Sequence, residues 1–382
     1  RVSTFDNLEN NCMNSDIENS ILILGGGLIG LSIAYEFARN NYKVQIISRN
    51  RSEAAGFVAA GMLAPHAEGL KDDLLDFGQA SQSLIPEWIK NIENDSGINC
   101  GLKKCGILLP FKSIKNLKKF PTYQYGQYLN QDDLNREIHG LNKNWKHGLL
   151  FEQDGQIDNR RRLMRALEIA CTVNNVKFQE GSEIKEIISE KNQFIGVNIL
   201  NATGETQSIF CKKAIVCCGA WSKQVVKELP IDPVKGQMLS IQGPINKLNK
   251  ILFGPKTYLV PREDGLIVVG ATVEKNANFN KGNTPQGIKE LQIGINSLFP
   301  EAILWPQMEH WWGFRPSTPD LKPIIGESKI KNLFIATGHY RNGVLFSAIT
   351  SKIMYKFIQN ERLIESEQKF INNFSLKRFL AT

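Results

Sequence analysis

The hydrophobic pattern is strongest near the start of the chain, where an apolar run over residues 21–38 is interrupted by three consecutive glycines. This pattern predicts a buried strand over residues 21–24, a glycine turn, and a helix over residues 28–39. The segment KVQIIS, residues 43–48, predicts a second, parallel strand. A membrane-spanning helix is the alternative, but the glycines and Glu36 argue against it, because a span needs about 20 apolar residues. We therefore predict a strand–helix–strand unit that opens a doubly wound sheet.

Further elements follow from the same reasoning, although the pattern loosens after residue 80. An amphipathic helix is predicted over residues 158–174, with Asp158 as its cap. The other predicted elements are strands over residues 176–179, 184–189, 214–218, 258–261, 266–272 and 333–337, and a last long helix over residues 343–360.

Strands of parallel-sheet character occur at both ends and in the middle of the chain, and this arrangement predicts an α/β fold. We expect a doubly wound, Rossmann-like dinucleotide-binding domain that is discontinuous in sequence and built from residues 21–80, 150–235 and 315–376. An α+β substrate domain with an antiparallel sheet is expected as an insertion, over residues 81–149 and 236–314. Residues 1–20 are polar and lack an apolar core, so we expect an N-terminal extension rather than a secretory signal, with Met13 as a candidate initiator.

Composition and charge exclude several classes of protein. The 382 residues are 42% hydrophobic and 22% charged, which is ordinary for a globular protein and excludes a disordered or fibrous one. The net charge of +8 is spread along the chain, so we expect no nucleic-acid partner. Seven cysteines without a CxxC pair predict no zinc site and a reducing, cytoplasmic compartment, and we expect no membrane association.

The glycine turn has the spacing of a dinucleotide-binding fingerprint. Gly25 permits a tight turn, Gly27 allows a pyrophosphate to approach the backbone, and Gly30 allows close packing of helix on strand. The N-terminus of the following helix offers free N–H groups and a positive dipole end to the phosphates. This fingerprint does not distinguish FAD from NAD.

The second strand departs from the fingerprint at its end. An acidic residue is expected there to bind the ribose hydroxyls, but the chain has Ser48 followed by Arg49. Ser48 can still bond a ribose hydroxyl, although without the assistance of a charge. Arg49 favours a 2′-phosphate, so an NADP-dependent dehydrogenase is one hypothesis.

Several longer segments carry more information than the fingerprint, and the first is AAGMLAPHAE, residues 59–68. It resembles the flavin-contacting stretch of glycine oxidase of thiamine biosynthesis, an FAD enzyme of the D-amino-acid oxidase and sarcosine oxidase superfamily. The resemblance extends over about residues 21–360 and includes GAWS at 219–222, PVKGQ at 233–237, YLVPR at 258–262, VGAT at 269–272, GFRP at 313–316, PD at 319–320 and GHYRNG at 338–343.

The resemblance implies a set of residues for the cofactor, non-covalent FAD. Beyond the fingerprint glycines, the implied cofactor-binding residues are Leu28, Ile29, Ser48, Arg49, Ala59, Ala60, Gly61, Met62, Ile184, Gly338, His339, Tyr340, Arg341, Asn342, Gly343, Val344 and Leu345. Gly313 stands where covalent relatives carry the linking cysteine. The chain departs from the family pattern at two places: Val273 stands where glycine oxidase carries a methionine, and the loop over residues 50–58 is shorter and lacks the expected Ser and Thr residues.

The resemblance also implies three substrate residues, Tyr258, Arg315 and Arg341. The planar guanidinium of Arg315 can bind a carboxylate with two parallel hydrogen bonds, and Tyr258 can donate a third. Arg341 precedes a helix whose N-terminus can stabilise negative charge on the reduced flavin. No general base is obvious.

The implied reaction is oxidative deamination of glycine, in which O2 becomes H2O2 and the imine hydrolyses to glyoxylate and ammonia or feeds thiazole formation. We expect glycine or another small amine as substrate, thiazole synthase as a partner, and a homo-oligomer. Alternatives are an oxidase for D-amino acids, sarcosine or a modified tRNA base, and a non-catalytic flavin-binding partner of thiazole synthase.

Overall fold

The computed structural model describes residues 19–380, so the proposed initiator and most of the predicted N-terminal extension lie outside the described residues. The strands, in chain order, are β1 (Ser20–Leu24), β2 (Lys43–Ile47), β3 (Met62–Leu63), β4 (Ile107–Phe111), β5 (Gln127–Leu129), β6 (His147–Phe151), β7 (Gly155–Gln156), β8 (Lys177–Gln179), β9 (Glu183–Glu190), β10 (Gln193–Leu200), β11 (Thr206–Phe210), β12 (Ala214–Val216), β13 (Asp232–Gln242), β14 (Ile251–Phe253), β15 (Tyr258–Pro261), β16 (Leu266–Gly270), β17 (Gln307–Ser317), β18 (Ile324–Glu327) and β19 (Leu333–Thr337).

The α-helices surround two large sheets. They are α1 (Leu28–Arg39), α2 (Asp72–Ser96), α3 (Ile114–Lys118), α4 (Gln131–Glu137), α5 (Met164–Val173), α6 (Ser222–Val225), α7 (Pro285–Leu298), α8 (Gly343–Ile358) and α9 (Glu365–Asn373). None of the helices within residues 19–380 is both long and apolar enough to cross a bilayer.

The first sheet has six strands in the order β18-β19-β12-β1-β2-β8. Its strands run parallel except for β18, which pairs antiparallel with β19. β1 lies in the middle, where Ile23 aligns with Ile46 of β2 and with Ile215 of β12, and all three side chains are fully buried. Continuous apolar strands of this kind are typical of a parallel sheet covered on both faces. The predicted doubly wound α/β fold is confirmed.

The second sheet has eight strands in the order β17-β13-β16-β15-β14-β4-β6-β5 and is antiparallel except where β14 meets β4. Side chains alternate between its faces, as the pleat requires. On one face Leu239 and Leu259 pack with α7, and on the other face Met238 and Val260 pack in the same cluster as Ala60. The second face thus meets the segment that resembles the flavin-contacting stretch of glycine oxidase.

Helix α2 is the largest element that the sequence pattern did not predict. It buries only a narrow stripe, which includes Phe77, Ile85 and Ile92, and it contains Pro86. A polar majority and an internal proline weaken the helical signal. The helix forms nevertheless, because the stripe packs against α8 and α5 in the largest core cluster.

Two other predicted elements differ in detail. The helix predicted over residues 158–174 begins with a π-helical turn, Asn159–Leu163, and continues as α5; the Asp158 side chain caps this turn by accepting a hydrogen bond from the N–H of Arg161. The strand predicted over residues 184–189 exists as β9, but it belongs to a separate antiparallel sheet with β10 and β11 rather than to the parallel sheet.

We expect Phe77 to contribute strongly to the stability of the core beneath α8. Its ring makes edge contacts with Phe346, Phe370 and Phe374 at centroid distances of 5.0 Å. Phe77→Ala should lower the free energy of unfolding by about 3–5 kcal/mol, since it leaves a cavity that its neighbours cannot fill. Phe210 is 68% exposed, and Phe210→Ala should change this free energy by no more than about 0.5 kcal/mol. Urea unfolding of the two variants and of wild type, all without cofactor, measures these free energies. Equal losses of stability in Phe77→Ala and Phe210→Ala would contradict the prediction.

Candidate active site

A cavity of about 340 Å³ lies at the carboxyl ends of four neighbouring parallel strands. Its wall includes Gly25 after β1, Ser48 after β2, Cys217 after β12 and Thr337 at the end of β19. In open α/β sheets this edge is where ligands bind. The cavity brings together many of the predicted cofactor residues: Gly25, Gly27, Leu28, Ile29, Ser48, Arg49, Ala59, Ile184, His339, Tyr340, Arg341, Gly343 and Val344.

The glycine turn has the geometry that the fingerprint predicts. Gly25 has a φ of +113°, and a Cβ there would collide with the carbonyl of Cys217. A Cβ on Gly30 would collide with the carbonyl of Gly25, so this glycine keeps α1 close to β1. A Cβ on Gly27, in contrast, would meet only the Cβ of Ala54, at 3.5 Å. Gly27 therefore leaves open space at the N-terminus of α1, where no side chain caps the free N–H groups.

The end of β2 carries a charged network that the fingerprint does not include. Arg49 pairs with Glu53 at 3.1 Å and stacks over the ring of Trp221, with 5.3 Å from its Cζ to the ring centroid. Glu53 also pairs with Lys281. Burial raises the pKa of Glu53, but hydrogen bonds from Lys281 and Arg49 outweigh this effect and hold the pKa below its usual value. Arg49 thus already has an anionic partner, which weakens the argument that it awaits a 2′-phosphate.

The opposite end of the cavity is formed by the turn before α8. Gly338 and Tyr340 have left-handed φ values of 78° and 50°. His339 is buried, its Nε2 lies 3.0 Å from Oγ1 of Thr350, and burial lowers its pKa to about 3. The imidazole is therefore neutral at physiological pH, and its bond to α8 favours the structural interpretation of this residue.

Some predicted cofactor residues do not line the cavity. The side chain of Leu345 is fully buried in the core between α8 and α2. Gly30 allows α1 to pack closely against the glycine turn. In the segment after Ala59, the Ala60 carbonyl accepts a hydrogen bond from Arg262, and Met62 pairs with Gln156 in a short two-stranded sheet. Gly61, Gly338 and Asn342 are also outside the cavity wall, although Gly338 and Asn342 are each flanked in the chain by residues that line it.

The three predicted substrate residues lie together on the second sheet and the turn before α8. The ring of Tyr258 lies over Gly270, which is opposite it on β16, and the guanidinium of Arg315 lies over Gly236. A Cβ on either glycine would collide with the side chain above it. These glycines let the two side chains lie flat against the sheet.

Arg315 is held by the main chain rather than by an acid. Its Nη1 donates to the carbonyls of Lys235 and Thr272, at 3.4 and 3.2 Å. Among the described residues, no carboxylate forms an ion pair with this guanidinium. Burial lowers the pKa of Arg315 and raises the pKa of Tyr258, so the phenol keeps its proton and remains a donor.

Arg341 connects this group to the cavity and to an acid that the sequence reasoning did not single out. It lines the cavity, and its Nη1 lies 3.9 Å from a carboxylate oxygen of Glu68. Burial raises the pKa of Glu68, and the charges of Arg341 and Arg315 oppose this rise. In the sequence, Glu68 is the last residue of the AAGMLAPHAE segment, and Glu53 is the only acid in the loop over residues 50–58. Neither position by itself indicates that the acid lies beside an arginine.

Comparison with known families identifies the architecture. A model of the DAO family, described as FAD dependent oxidoreductase, matches residues 20–356. The chain belongs to this family of FAD-dependent oxidoreductases. Membership excludes the NADP-dependent dehydrogenase and confirms FAD as the cofactor.

Relatives of this oxidoreductase include bifunctional proteins and glycine oxidases. The bifunctional protein ThiO/ThiG of Synechocystis is 37% identical over 372 residues, which cover 95% of this chain and 54% of that protein. The chain therefore spans about half the length of the bifunctional relatives that it matches. A glycine oxidase of Bacillus licheniformis is 29% identical and is covered over 92% of its length, with 88% of this chain. The crystal structure of glycine oxidase from Geobacillus kaustophilus has the same fold, with a TM-score of 0.86 at 24% identity over 94% of this chain and 98% of that one.

The residues of the cavity fit FAD. The open N-terminus of α1 and the space at Gly27 suit a pyrophosphate, which is anionic and needs close approach to N–H groups. The buried Ser48 hydroxyl forms no hydrogen bond within the described part of the chain, so it is available to a ribose. The N-terminus of α8, which also lacks a side-chain cap, opens at the other end.

We predict that Gly27→Ala and Gly30→Ala of this oxidoreductase fail in different ways. Gly27→Ala should fold with a free energy of unfolding within about 1 kcal/mol of wild type, because the methyl meets no clash, yet bind FAD at least roughly tenfold more weakly. Gly30→Ala should destabilise the apoprotein by roughly 1–3 kcal/mol, because helix and strand must separate. Fluorescence titration with FAD and urea unfolding measure the two effects; unchanged FAD affinity in Gly27→Ala would contradict this assignment.

Proposed function

We propose that this chain oxidises glycine to the imine, with O2 as the final electron acceptor, and that Arg315 holds the substrate carboxylate. FAD, when bound, supplies the acceptor for the hydride that leaves Cα and passes the electrons to O2 to give H2O2. The imine then hydrolyses to glyoxylate and ammonia. The names of the glycine oxidase relatives support the choice of substrate.

The observation that carries the proposal is the charge of Arg315, which is partly buried and has no ion-paired carboxylate among the described residues. A buried guanidinium is costly unless an anion or several hydrogen bonds compensate for its lost hydration. The two carbonyls engage Nη1, and a substrate carboxylate would supply the missing negative charge. Tyr258, protonated and beside the guanidinium, can donate a further bond to the same carboxylate.

The third residue, Arg341, is placed to act between substrate and cofactor. It lies on the turn that leads into α8 and contacts both the cavity and Glu68. Its charge and the dipole of the 16-residue helix α8 favour negative charge at this end of the cavity. The site therefore offers cations to the substrate carboxylate and to the end of the cofactor that becomes electron-rich.

A thiazole synthase is the partner that we propose for this activity. The bifunctional relatives are about twice as long as the matched region, so a second unit accompanies the homologous one in those proteins. The imine is the product that thiazole formation would use, and we propose the cytoplasm as the place where both occur.

A different small amine is the second candidate substrate. A solved neighbour is an iminodiacetate oxidase, with a TM-score of 0.81 at 21% identity, so the fold also serves larger amino acids. Val273, which stands where glycine oxidase has methionine, follows Thr272 beside Arg315 and is 40% exposed. A peroxide-coupled screen of glycine, sarcosine and D-amino acids separates the candidates; bound FAD without peroxide from any of them would favour the non-catalytic alternative.

Arg315→Leu should nearly abolish glycine oxidation, with kcat/KM lowered about 100-fold or more, because losing a charged partner of a desolvated carboxylate costs a few kcal/mol. The protein should keep its fold and its FAD. Arg136→Leu, which removes a guanidinium from the surface, should leave kcat/KM unchanged.

Arg315→Lys and an amine without a carboxylate complete this test. The lysine should recover only part of the activity, because an ammonium cannot make the forked pair of bonds. Any turnover of a simple primary amine should be hardly affected by either substitution. A stable, FAD-loaded Arg315→Leu with near wild-type kcat/KM on glycine would refute the role of Arg315.

FAD should be held without a covalent bond. Gly313 offers no thiol at the position where covalent relatives carry cysteine, and it lies on β17 against Val58, where a larger side chain would collide. Acid precipitation should therefore release all the flavin into the supernatant. Flavin that stays in the washed protein pellet would count against this prediction.

A further inference from the structure

Glu68 is a largely buried acid near the three proposed substrate residues, Tyr258, Arg315 and Arg341, and the reaction as described so far gives it no task. Its side chain is 11% exposed, and one carboxylate oxygen lies 3.9 Å from Nη1 of Arg341. It also interacts electrostatically with Arg315 and with Tyr258. An anion at this place repels the carboxylate that Arg315 is proposed to bind, so its presence calls for a positive group on the ligand.

The loop that carries Glu68 is held rigidly. Asp154, which is fully buried, accepts hydrogen bonds from the backbone N–H groups of His66 and Ala67, at 3.1 and 2.7 Å, and bonds the His66 ring at 2.7 Å. Thr122 adds a bond to the His66 carbonyl. A network of this kind limits the movement of the residues around it, so Glu68 is presented at a defined place.

We propose that Glu68 binds the amino group of the substrate and accepts a proton from it. This inference rests on the proposed function, in which an amino acid enters as a zwitterion. The ammonium would lie against Glu68 while its carboxylate lies against Arg315. One N–H bond of the ammonium breaks, its electron pair stays on nitrogen, and the proton forms an O–H bond on the Glu68 carboxylate.

The proton transfer prepares the substrate for hydride loss, because a neutral amine can share its lone pair with Cα as the hydride departs, whereas an ammonium cannot. A general base works best when its pKa lies close to the operating pH. Burial raises the pKa of Glu68, as does the nearby charge of Asp154, while Arg341 and Arg315 lower it. Tyr258, the other titratable group that faces it, stays protonated.

A purely structural role is the alternative, in which Glu68 only orients Arg341. Their separation of 3.9 Å is long for a charge-assisted hydrogen bond, which is normally about 2.7–2.9 Å. The two interpretations predict different behaviour towards ligands with and without an amine. Glu68→Gln distinguishes them, because it keeps the shape of the side chain and removes only its charge and its basicity.

The experiment compares wild type, Glu68→Gln and Glu68→Asp as FAD-loaded proteins, with Glu152→Gln as a control at an exposed acid. In Glu68→Gln, kcat/KM for glycine should fall at least tenfold at neutral pH. It should then rise about tenfold per pH unit towards alkaline pH, because only glycine that is already neutral can react. Wild type should depend less steeply on pH in this range, and Glu68→Asp should recover part of the loss.

Binding of acetate, which has a carboxylate but no amine, provides a readout independent of turnover. The change in flavin absorbance on titration with acetate should show binding to Glu68→Gln as tight as to wild type, or tighter, because a repulsive charge has gone. Weaker acetate binding together with an equal loss of activity at every pH would overturn the proposal in favour of the structural role. If Glu68→Gln oxidises glycine as fast as wild type, the proposed role of Glu68 would also be overturned. If wild type neither binds nor oxidises glycine, the proposed function itself would be refuted.

Discussion

A guanidinium held against the face of a sheet is the interaction on which this site depends. Arg315 lies flat over Gly236 and is anchored through Nη1 to two carbonyls, and its charge has no ion-paired carboxylate in the described part of the protein. Because burial removes part of the hydration of this charge, the site gains from an anion that fits beside it. The small carboxylate ligand that we propose would meet this constraint.

The two sheets divide the work of the enzyme. The parallel sheet brings four strand ends and the N-terminus of α1 to one edge, where a dinucleotide can lie. The antiparallel sheet provides a flat face for Tyr258 and Arg315. Arg341, on the turn into α8, belongs to both regions and connects the cofactor cavity with the substrate group.

Elements with a strong local pattern were predictable from the sequence, and α1 has the predicted bounds, residues 28–39. Its glycine turn and apolar face are encoded within a few neighbouring residues. Helix α2 was missed because its stability comes from tertiary packing of a narrow stripe. The strand β9 was found, but nothing in its own residues shows which sheet it joins.

The residues of the site likewise divide into those that a sequence motif indicates and those that only the fold brings together. The proposed substrate residues could be named because whole motifs around them resemble a known family, whereas composition and periodicity would leave Tyr258 as a core residue. Glu68 was not singled out because its interactions are with Arg315 and Arg341, which are distant in the sequence and are brought near it only by the fold. The ion pair of Arg49 with Glu53 likewise changes the interpretation of Arg49, which the strand end alone made a candidate for phosphate binding.

Anaerobic mixing of the FAD-loaded protein with glycine tests the central claim most directly. If Arg315 and Arg341 hold an amino acid with its Cα at the cofactor, the visible absorbance of oxidised flavin should disappear on adding glycine and return when O2 is admitted, with H2O2 formed in equal amount. Flavin that stays oxidised in excess glycine, yet is reduced by dithionite, would contradict the account.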